Sequence, residues 1–190
     1  MAGVVSLLDE ASEQATRQLW AELGERYGLR VAAQRVPLPH CSYHVAGDYD
    51  LARLAEALRR VAARVRPFAT TITGLGAFEA PEPVLYLAVE RNPALDLLHA
   101  ALWRELARFG VARQPMAIYA PPTWVPHITL AQGDLTLDGL RAIQAAWGGR
   151  DLRRELWVRE LSVLYSTAGG SASERLMGLP LGGVDDDTTR

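Results

Sequence analysis

The 190-residue chain contains no lysine, and all 20 of its basic residues are arginine. No lysine can therefore act as a nucleophile, form a Schiff base or carry the nucleotide adduct that some ligases use. The single cysteine, Cys41, excludes a disulfide framework and any zinc or iron–sulfur site built from several cysteines. Histidine is also scarce, and the four present are His40, His44, His99 and His127.

Long apolar runs are absent too. No stretch approaches the roughly 20 apolar residues of a membrane span, and the N-terminal residues lack the basic region of a secretory signal peptide. We therefore expect a soluble, cytoplasmic protein, a monomer, with no membrane partner. The net charge of −2 argues against binding of extended double-stranded nucleic acid by bulk electrostatics. The apolar fraction of 49% is enough for a buried core and excludes a disordered chain.

Hydrophobic periodicity predicts an alternation of strands and helices. Helices are predicted from Asp9 to Tyr27, Asp50 to Arg66, Asn92 to Phe109 and Thr136 to Trp147, each starting at a capping residue. Strands are predicted at Val4–Leu8, Arg30–Val36, His40–Ala46, Phe68–Leu75, Val84–Glu90, His127–Ala131, Leu152–Val158, Leu161–Ser166 and Glu174–Leu181. Because several strand pairs follow each other directly, the pattern favours an α+β fold over a doubly wound parallel sheet.

The connecting segments divide the chain further. Gly47–Asp48 is predicted to be a turn, and 76–83 a Gly/Pro-rich loop. The segment 111–126 is predicted to be a long loop, and its aromatic residues favour a functional role. One domain is expected over 1–183, followed by a flexible polar tail at 184–190. The chain has neither G-x-G-x-x-G nor a Walker-type sequence, which argues against a Rossmann or P-loop nucleotide site.

Two segments of the chain repeat the same series of features. One reads Pro-His-Cys-Ser at 39–42, then Gly-Asp and a capped helix. The other reads Pro-His-Ile-Thr at 126–129, then Gly-Asp and a capped helix. In each copy two strands follow the helix. We interpret the segments, about 39–90 and 126–167, as an internal duplication.

The spacing within each motif has a chemical meaning. Side chains alternate between the two faces of a strand, so His40 and Ser42 point the same way, as do His127 and Thr129. If the two strands lie side by side, both imidazoles and both hydroxyls face one pocket. The hydroxyls and one imidazolium can then hold phosphate oxygens, while the histidines give and take protons near neutral pH. This arrangement suits displacement at phosphorus without a metal ion or other cofactor.

The two motifs resemble the paired H-x-T/S motifs of the 2H phosphoesterase superfamily, whose members include 2'-5' RNA ligase-like and cyclic phosphodiesterase proteins. The resemblance covers about 4–181. It implies a bilobal fold in which two pseudo-symmetric lobes, each with an antiparallel sheet and outer helices, surround a central cleft. It also implies phosphodiester chemistry, with His40 and His127 as the catalytic pair and Ser42 and Thr129 as the phosphate-binding hydroxyls. Serine replaces threonine in the first motif, a substitution that the pattern tolerates.

Other roles for these residues fit strand geometry less well. His40 and His44 are four residues apart, about 13 Å on a strand, too far to share a zinc ion with bonds near 2 Å. Cys41 points away from His40 and is not expected to be a nucleophile. His44 shares a predicted strand face with His40 and is a candidate pocket residue, whereas His99, on a helix, is assigned a structural role.

Further pocket residues are expected among the aromatic residues and arginines. Tyr119 and Trp124, in the loop before the second motif, are candidates for stacking on a base, and Tyr43 is a third candidate. Arginines that can add a phosphate contact include Arg35, Arg91 and Arg113, and the sequence does not select among them.

These features lead to two functional hypotheses. The first is a metal-independent phosphoesterase that acts on a 2',3'-cyclic phosphate or a 2',5'-linked phosphodiester, in a small nucleotide or at an RNA 3' end. The alternative is a protein of the same fold that binds an RNA end or a nucleotide without turnover. A structural or partner-binding role is a third interpretation. The motifs do not distinguish hydrolysis from ligation, or the acid histidine from the base.

Overall fold

Two antiparallel sheets form the centre of the structure, a computed structural model that describes residues 2–166 and 172–182. The tail predicted at 184–190 lies outside the described residues. The strands are β1 (Ala2–Leu7), β2 (His40–Tyr49), β3 (Phe68–Phe78), β4 (Val84–Val89), β5 (Ala112–Pro115), β6 (His127–Gln132), β7 (Arg154–Val158), β8 (Glu160–Tyr165) and β9 (Glu174–Pro180). The helices are α1 (Glu10–Tyr27), α2 (Val31–Arg35), α3 (Leu51–Ala62), α4 (Pro93–Phe109) and α5 (Leu137–Trp147), with a short 3-10 helix at Ala117–Tyr119.

Each sheet belongs to one lobe of the molecule. The first has the strand order β5-β2-β1-β8-β9, and the second has the order β6-β4-β3-β7. Every pairing within them is antiparallel. The core between sheets and helices is built largely from leucine and valine side chains. The predicted α+β fold with two sheet-containing lobes is confirmed.

The strand pairing defines two equivalent halves of the chain. β1 and β2 pair in the first sheet with α1 between them in sequence, and β4 and β6 pair in the second sheet with α4 between them. The last strand of each half crosses to the other sheet, so that β3 pairs with β4 and β8 pairs with β1. β4 is therefore the counterpart of β1, not the end of a first repeat at 39–90. The equivalent segments are 2–78 and 84–165.

The four long helices begin where the sequence predicts, because a side chain caps the N-terminus of each. Asp9, Asp50, Asn92 and Thr136 accept the backbone N–H three residues on, at 2.9 to 3.1 Å. α1 ends at Tyr27 and is followed by Gly28, whose φ of 74° is left-handed. α3 ends at Ala62 and not at the predicted Arg66. None of the helices in the described ranges is both long and apolar enough to cross a membrane.

The strand predicted at Arg30–Val36 is wrong, because this segment forms the short helix α2. The backbone N–H groups of Arg30 and Val31 donate to Oδ2 of Asp134 at 2.7 and 2.9 Å. This carboxylate satisfies donors that a helix N-terminus leaves free, and its charge suits that end of the helix. A side chain far along the sequence thus decides the local structure.

Two predicted connecting segments also differ. Gly47–Asp48 is not a turn, because β2 continues to Tyr49 and pairs there with β5. The predicted loop at 111–126 therefore contains β5 and the 3-10 helix. The second Gly-Asp pair does end its strand, since Gly133 has a φ of 90° and directly follows β6. The two Gly-Asp pairs of the duplication have different structural roles.

A glycine on β3 makes room for an aromatic ring near the second motif. Gly76 pairs with Tyr86 of β4, and a Cβ at position 76 would overlap the Tyr86 ring. That ring lies against the imidazole of His127, with the centroids 5.1 Å apart. The absence of a side chain at Gly76 therefore allows Tyr86 to form one wall beside the histidine.

We expect Gly76→Ala to lower the free energy of unfolding by about 1–3 kcal/mol, because the added methyl group must displace a buried ring. Urea unfolding followed by tryptophan fluorescence measures the change. Gly149→Ala is the matched control, since a Cβ there meets nothing within 4 Å. Equal unfolding free energies for the two variants would contradict a tight approach at Gly76.

Candidate active site

β2 and β6 face a shared cleft of about 380 Å³ between the lobes. His40 and Ser42 from β2, and His127 and Thr129 from β6, line this cleft together with Tyr119. The four motif side chains are partly exposed, whereas the residues between them in each motif are buried. The structure thus brings the four predicted motif residues and one predicted aromatic residue into one cavity.

The two imidazoles are held in the same way. Nδ1 of His40 lies 2.7 Å from the carbonyl oxygen of Leu38, and Nδ1 of His127 lies 2.7 Å from that of Val125. Because a carbonyl oxygen can only accept, each Nδ1 carries the hydrogen and donates it. Nε2 of each neutral ring therefore keeps a lone pair, which is the form that a general base requires.

A proline before each histidine fixes where strand pairing begins. Proline has no N–H, so only its carbonyl group can join the ladder. The carbonyl oxygen of Pro39 accepts from the backbone N–H of Leu8 at 3.3 Å, and that of Pro126 accepts from Val89 at 3.1 Å. Both motifs therefore enter their sheets in the same register.

A β-bulge follows each motif. The pairing of β2 with β1 skips Tyr43, and the pairing of β6 with β4 skips Leu130. One unpaired residue reverses the alternation of side chains beyond it. Val45 and Gln132, five residues after their histidines, consequently line the cleft.

Tyr43 and His44 face the core and not the cleft, so the prediction that His44 shares a face with His40 is wrong. His44 lies beyond the bulge and is only 2% exposed. Its Nδ1 lies 2.6 Å from the hydroxyl of Tyr49, and its ring packs against Trp103. The Tyr43 hydroxyl is also buried, where it donates to Ser6 Oγ at 3.0 Å.

Two tryptophans bind the backbone at the bulges. Nε1 of Trp124 donates to the carbonyl oxygen of Ser42 at 2.9 Å, and Nε1 of Trp20 donates to that of Thr129 at 3.2 Å. Trp124 is 2% exposed and stacks on His99 with the centroids 3.8 Å apart, so it supports the cleft from the core and has no face free for a base. Trp20, on α1, lines the cleft, although nothing near it in the sequence indicates this position.

His99 connects the first bulge to the loop that carries Tyr119. Its Nε2 lies 3.0 Å from the carbonyl oxygen of Tyr43 and 2.9 Å from that of Tyr119. Burial raises the pKa of the Tyr119 phenol, and a hydrogen bond between the phenol and the Ser42 hydroxyl opposes this effect. His99 thereby holds a cleft residue in place through the backbone.

Burial lowers the pKa of both cleft histidines below the ordinary value of 6.5. The hydrogen bond to Leu38 opposes this effect at His40, while the neighbouring imidazole of His127 adds to it. The hydrogen bond to Val125 likewise opposes it at His127. The lowered pKa of each imidazole favours the neutral ring at pH 7, with the lone pair on Nε2.

The thiol of Cys41 lies on the other face of β2. Cys41 is 2% exposed, and burial raises the pKa of its thiol to about 12. A protonated thiol in the core is unsuited to attack a substrate in the cleft. Among residues 2–166 and 172–182, no three His, Cys, Asp or Glu side chains form a group that could hold a metal ion.

The structure selects one of the three arginines that the sequence leaves open. Arg35, at the end of α2, lines the cleft. Arg91 instead donates to Asp96 at 2.8 Å, and its guanidinium lies over the ring of Trp124. Arg113 lies on β5, at the edge of the first sheet, and is not among the cleft residues.

Solved structures share this fold over nearly the whole chain. A protein of Thermus thermophilus superposes with a TM-score of 0.68 at 18% identity, covering 96% of this chain and 98% of that one. LigT of Escherichia coli, complexed with NADP+, gives 0.62 at 21% identity, with 95% and 96% covered. Usb1 of Kluyveromyces marxianus gives 0.51 at 16% identity, with 95% and 98% covered. At 16 to 21% identity, these likenesses show a shared fold.

Residues 8–170 match the 2'-5' RNA ligase superfamily. The chain belongs to that superfamily, and the family resemblance of its two motifs is confirmed. A protein of Geobacillus kaustophilus that is named as a phosphoesterase is 29% identical over 126 residues. These residues are 66% of this chain and 67% of that relative.

We expect the protein to lose stability as the pH falls from about 7 to about 4. Burial lowers the pKa of both His44 and His99 to about 4, against 6.5 for an ordinary imidazole. The unfolded chain therefore binds more protons in this range, so the stabilisation is complete above pH 6.5 and is lost as the pH falls. Denaturant unfolding at a series of pH values measures the loss.

The variant His44→Phe tests one of these groups. Phenylalanine keeps a ring against Trp103 and removes the titrating imidazole, so the free energy of unfolding should fall less steeply below pH 6.5 than in the wild type. Identical slopes for the two proteins would contradict a neutral, buried His44.

Proposed function

We propose that the protein is a phosphoesterase that cleaves a 2',3'-cyclic phosphate or a 2',5'-linked phosphodiester, in a small nucleotide or at an RNA 3' end, without a metal ion. The observation that carries this proposal is the matched pair of imidazoles. His40 and His127 stand on equivalent strands, each donates Nδ1–H to a backbone carbonyl, and neither Nε2 has a hydrogen-bond partner in the described part of the chain.

The reaction needs one group that takes a proton and one that gives a proton. In hydrolysis, Nε2 of one histidine takes a proton from water as the water oxygen attacks phosphorus. The other histidine, protonated at Nε2, gives its proton to the ribose oxygen as the P–O bond breaks. Two imidazoles in one cleft, both oriented through Nδ1, supply both groups.

The hydroxyls of Ser42 and Thr129 bind the phosphate. Each lies two residues after its histidine and lines the same cleft, so both can donate to the oxygens on which negative charge builds. Substrate also prepares the acid, because an anionic phosphate beside an imidazole raises the pKa of that imidazole. A histidine that is neutral in the free protein can thus carry a proton in the complex.

A nucleotide is the class of ligand that suits this cleft. Its volume of about 380 Å³ is that of a small-molecule site. Trp20 and Tyr119 supply aromatic surface on which a base can stack. The complexes of LigT with 3'-AMP, ATP and NADP+ support the same class of ligand, since LigT has this fold.

His40→Ala and His127→Ala should each lower kcat about 100-fold or more, because each removes a proton-transfer group. The assay measures turnover of 2',3'-cyclic mononucleotides, of RNA with a cyclic-phosphate end and of 2',5'-linked dinucleotides. His44→Phe is the matched control, since His44 lies on the same strand but faces the core. EDTA should leave turnover unchanged.

Wild-type rates in both alanine variants would overturn the mechanism, as would full inhibition by EDTA. Binding of a product nucleotide without turnover of any of these substrates would favour a nucleotide-binding protein instead. Thermal melting of each variant shows whether a loss of rate reflects unfolding.

The pH dependence of kcat/KM tests the protonation states of His40 and His127 in the free protein. One histidine must be neutral and the other protonated, so the profile should be bell-shaped and limited by the two pKa values. Both of these lie below 6.5, and the maximum is therefore expected on the acid side of about pH 6.5. A flat profile from pH 5 to 8, or a maximum above pH 7.5, would contradict the assignment.

A further inference from the structure

The cleft extends past the histidines along β6 towards α2. This extension is lined by Ala32 and Arg35 from α2, by Val36 directly after it, by Gln132 at the end of β6, and by Ser173 before β9. Within the described ranges, Arg35 is the sole lysine or arginine among the cleft residues, and neither aspartate nor glutamate lines the cleft. The extension therefore carries a positive charge that no cleft carboxylate offsets.

The guanidinium of Arg35 is not neutralised from outside the cleft either. In the part of the chain that the structure describes, no carboxylate lies within 4.0 Å of it. By contrast, two arginines of α1, Arg17 and Arg26, each pair with a glutamate one turn away. Arg35 thus combines a place in the cleft with a charge that remains available to a ligand.

The fold fixes the position of Arg35 relative to the second motif. Oδ2 of Asp134 caps α2, and the Ser173 N–H donates to the carbonyl oxygen of Arg35 at 2.7 Å. A Cβ at Gly133 would lie 2.9 Å from Val31 Cγ1 and 3.5 Å from Arg35 Nη1. Glycine at this turn therefore lets α2 pack against the end of β6 and places the guanidinium beside it.

The distance along β6 separates this charge from the proposed reaction centre. At roughly 3.3 Å per residue, the Gly133 turn is on the order of 10 Å beyond Thr129 once the bulge is taken into account. A single phosphate held by Ser42 and Thr129 therefore leaves the guanidinium without an anion. A ligand with a second phosphate can reach both places.

We propose that Arg35 forms a second anion subsite, which makes the cleft selective for nucleotides that carry a phosphate in addition to the one at the histidines. This inference rests on the proposed function, because it places the first phosphate at Ser42 and Thr129. The preferred ligand is then an RNA end or another nucleotide with two phosphates, in preference to a cyclic mononucleotide. Arg35 is a specificity-determining residue that binds the phosphate which does not react.

Direct titration tests the subsite without requiring turnover. The probes are adenosine 3',5'-bisphosphate and adenosine 3'-monophosphate. The wild type should bind the bisphosphate about 10- to 100-fold more tightly, as expected for charge-assisted hydrogen bonds to one further phosphate. Arg35→Met, which keeps the length of the side chain and removes its charge, should reduce this preference to about threefold or less, and Arg35→Lys should restore part of it.

Arg53→Met is the matched control, because Arg53 lies on α3, outside the cleft, and its loss removes the same net charge. The preference for the bisphosphate should survive in this variant. Equal binding of the two probes by the wild type, or an equal loss of affinity for both probes in Arg35→Met, would overturn the second subsite.

Turnover separates this inference from the proposed function. The same variants are assayed with adenosine 2',3'-cyclic phosphate, with and without a 5'-phosphate, and the ratio of the two kcat/KM values should fall in Arg35→Met. If the wild type prefers the bisphosphate but turns over neither substrate, the result would contradict the proposed activity and support the second anion subsite. If both substrates are turned over and the ratio of their kcat/KM values is unchanged in Arg35→Met, the result would contradict the subsite and support the proposed activity.

Discussion

The unpaired residue after each motif is the constraint on which the site depends. A strand presents alternate residues to one face, and that alternation brings histidine and hydroxyl together. The bulges at Tyr43 and Leu130 limit this face to the motif itself. They turn His44 into the core and bring Val45 and Gln132 to the cleft. Without them, a second histidine would share the face of His40.

A bulge removes backbone groups from the sheet ladder, and a buried carbonyl group without a donor is costly. Indole groups meet this need, since Trp124 and Trp20 donate to the carbonyl oxygens at the two bulges, and Trp103 donates to that of Tyr43. His99 reinforces the first bulge from α4. Trp124, Trp103 and His99 thus hold, from the core, the backbone from which the cleft side chains project, and Trp20 does so from the cleft itself.

The sequence indicates the features that depend on neighbours along the chain. The caps of the long helices, most strand positions and both motifs are local patterns, and the structure has them. The errors arise where distant residues decide: Asp134 turns the segment at Arg30–Val36 into a helix. The bulge at Tyr43 is likewise set by pairing with β1, so the alternation rule fails at His44. The hydrogen bond from Trp20 to the Thr129 carbonyl oxygen joins residues 109 positions apart, and no pattern near either residue predicts it.

The exchange of strands between the two halves has a mechanical consequence. The chain passes from one sheet to the other through α3, through α4, between β5 and β6, and between β7 and β8. The last of these passages consists of one residue, Arg159, between Val158 and Glu160. A hinge needs a few residues that can absorb large changes of backbone dihedral angle, and this passage offers too short a segment for the lobes to swing apart. We therefore expect the floor of the cleft to keep its shape when a ligand binds.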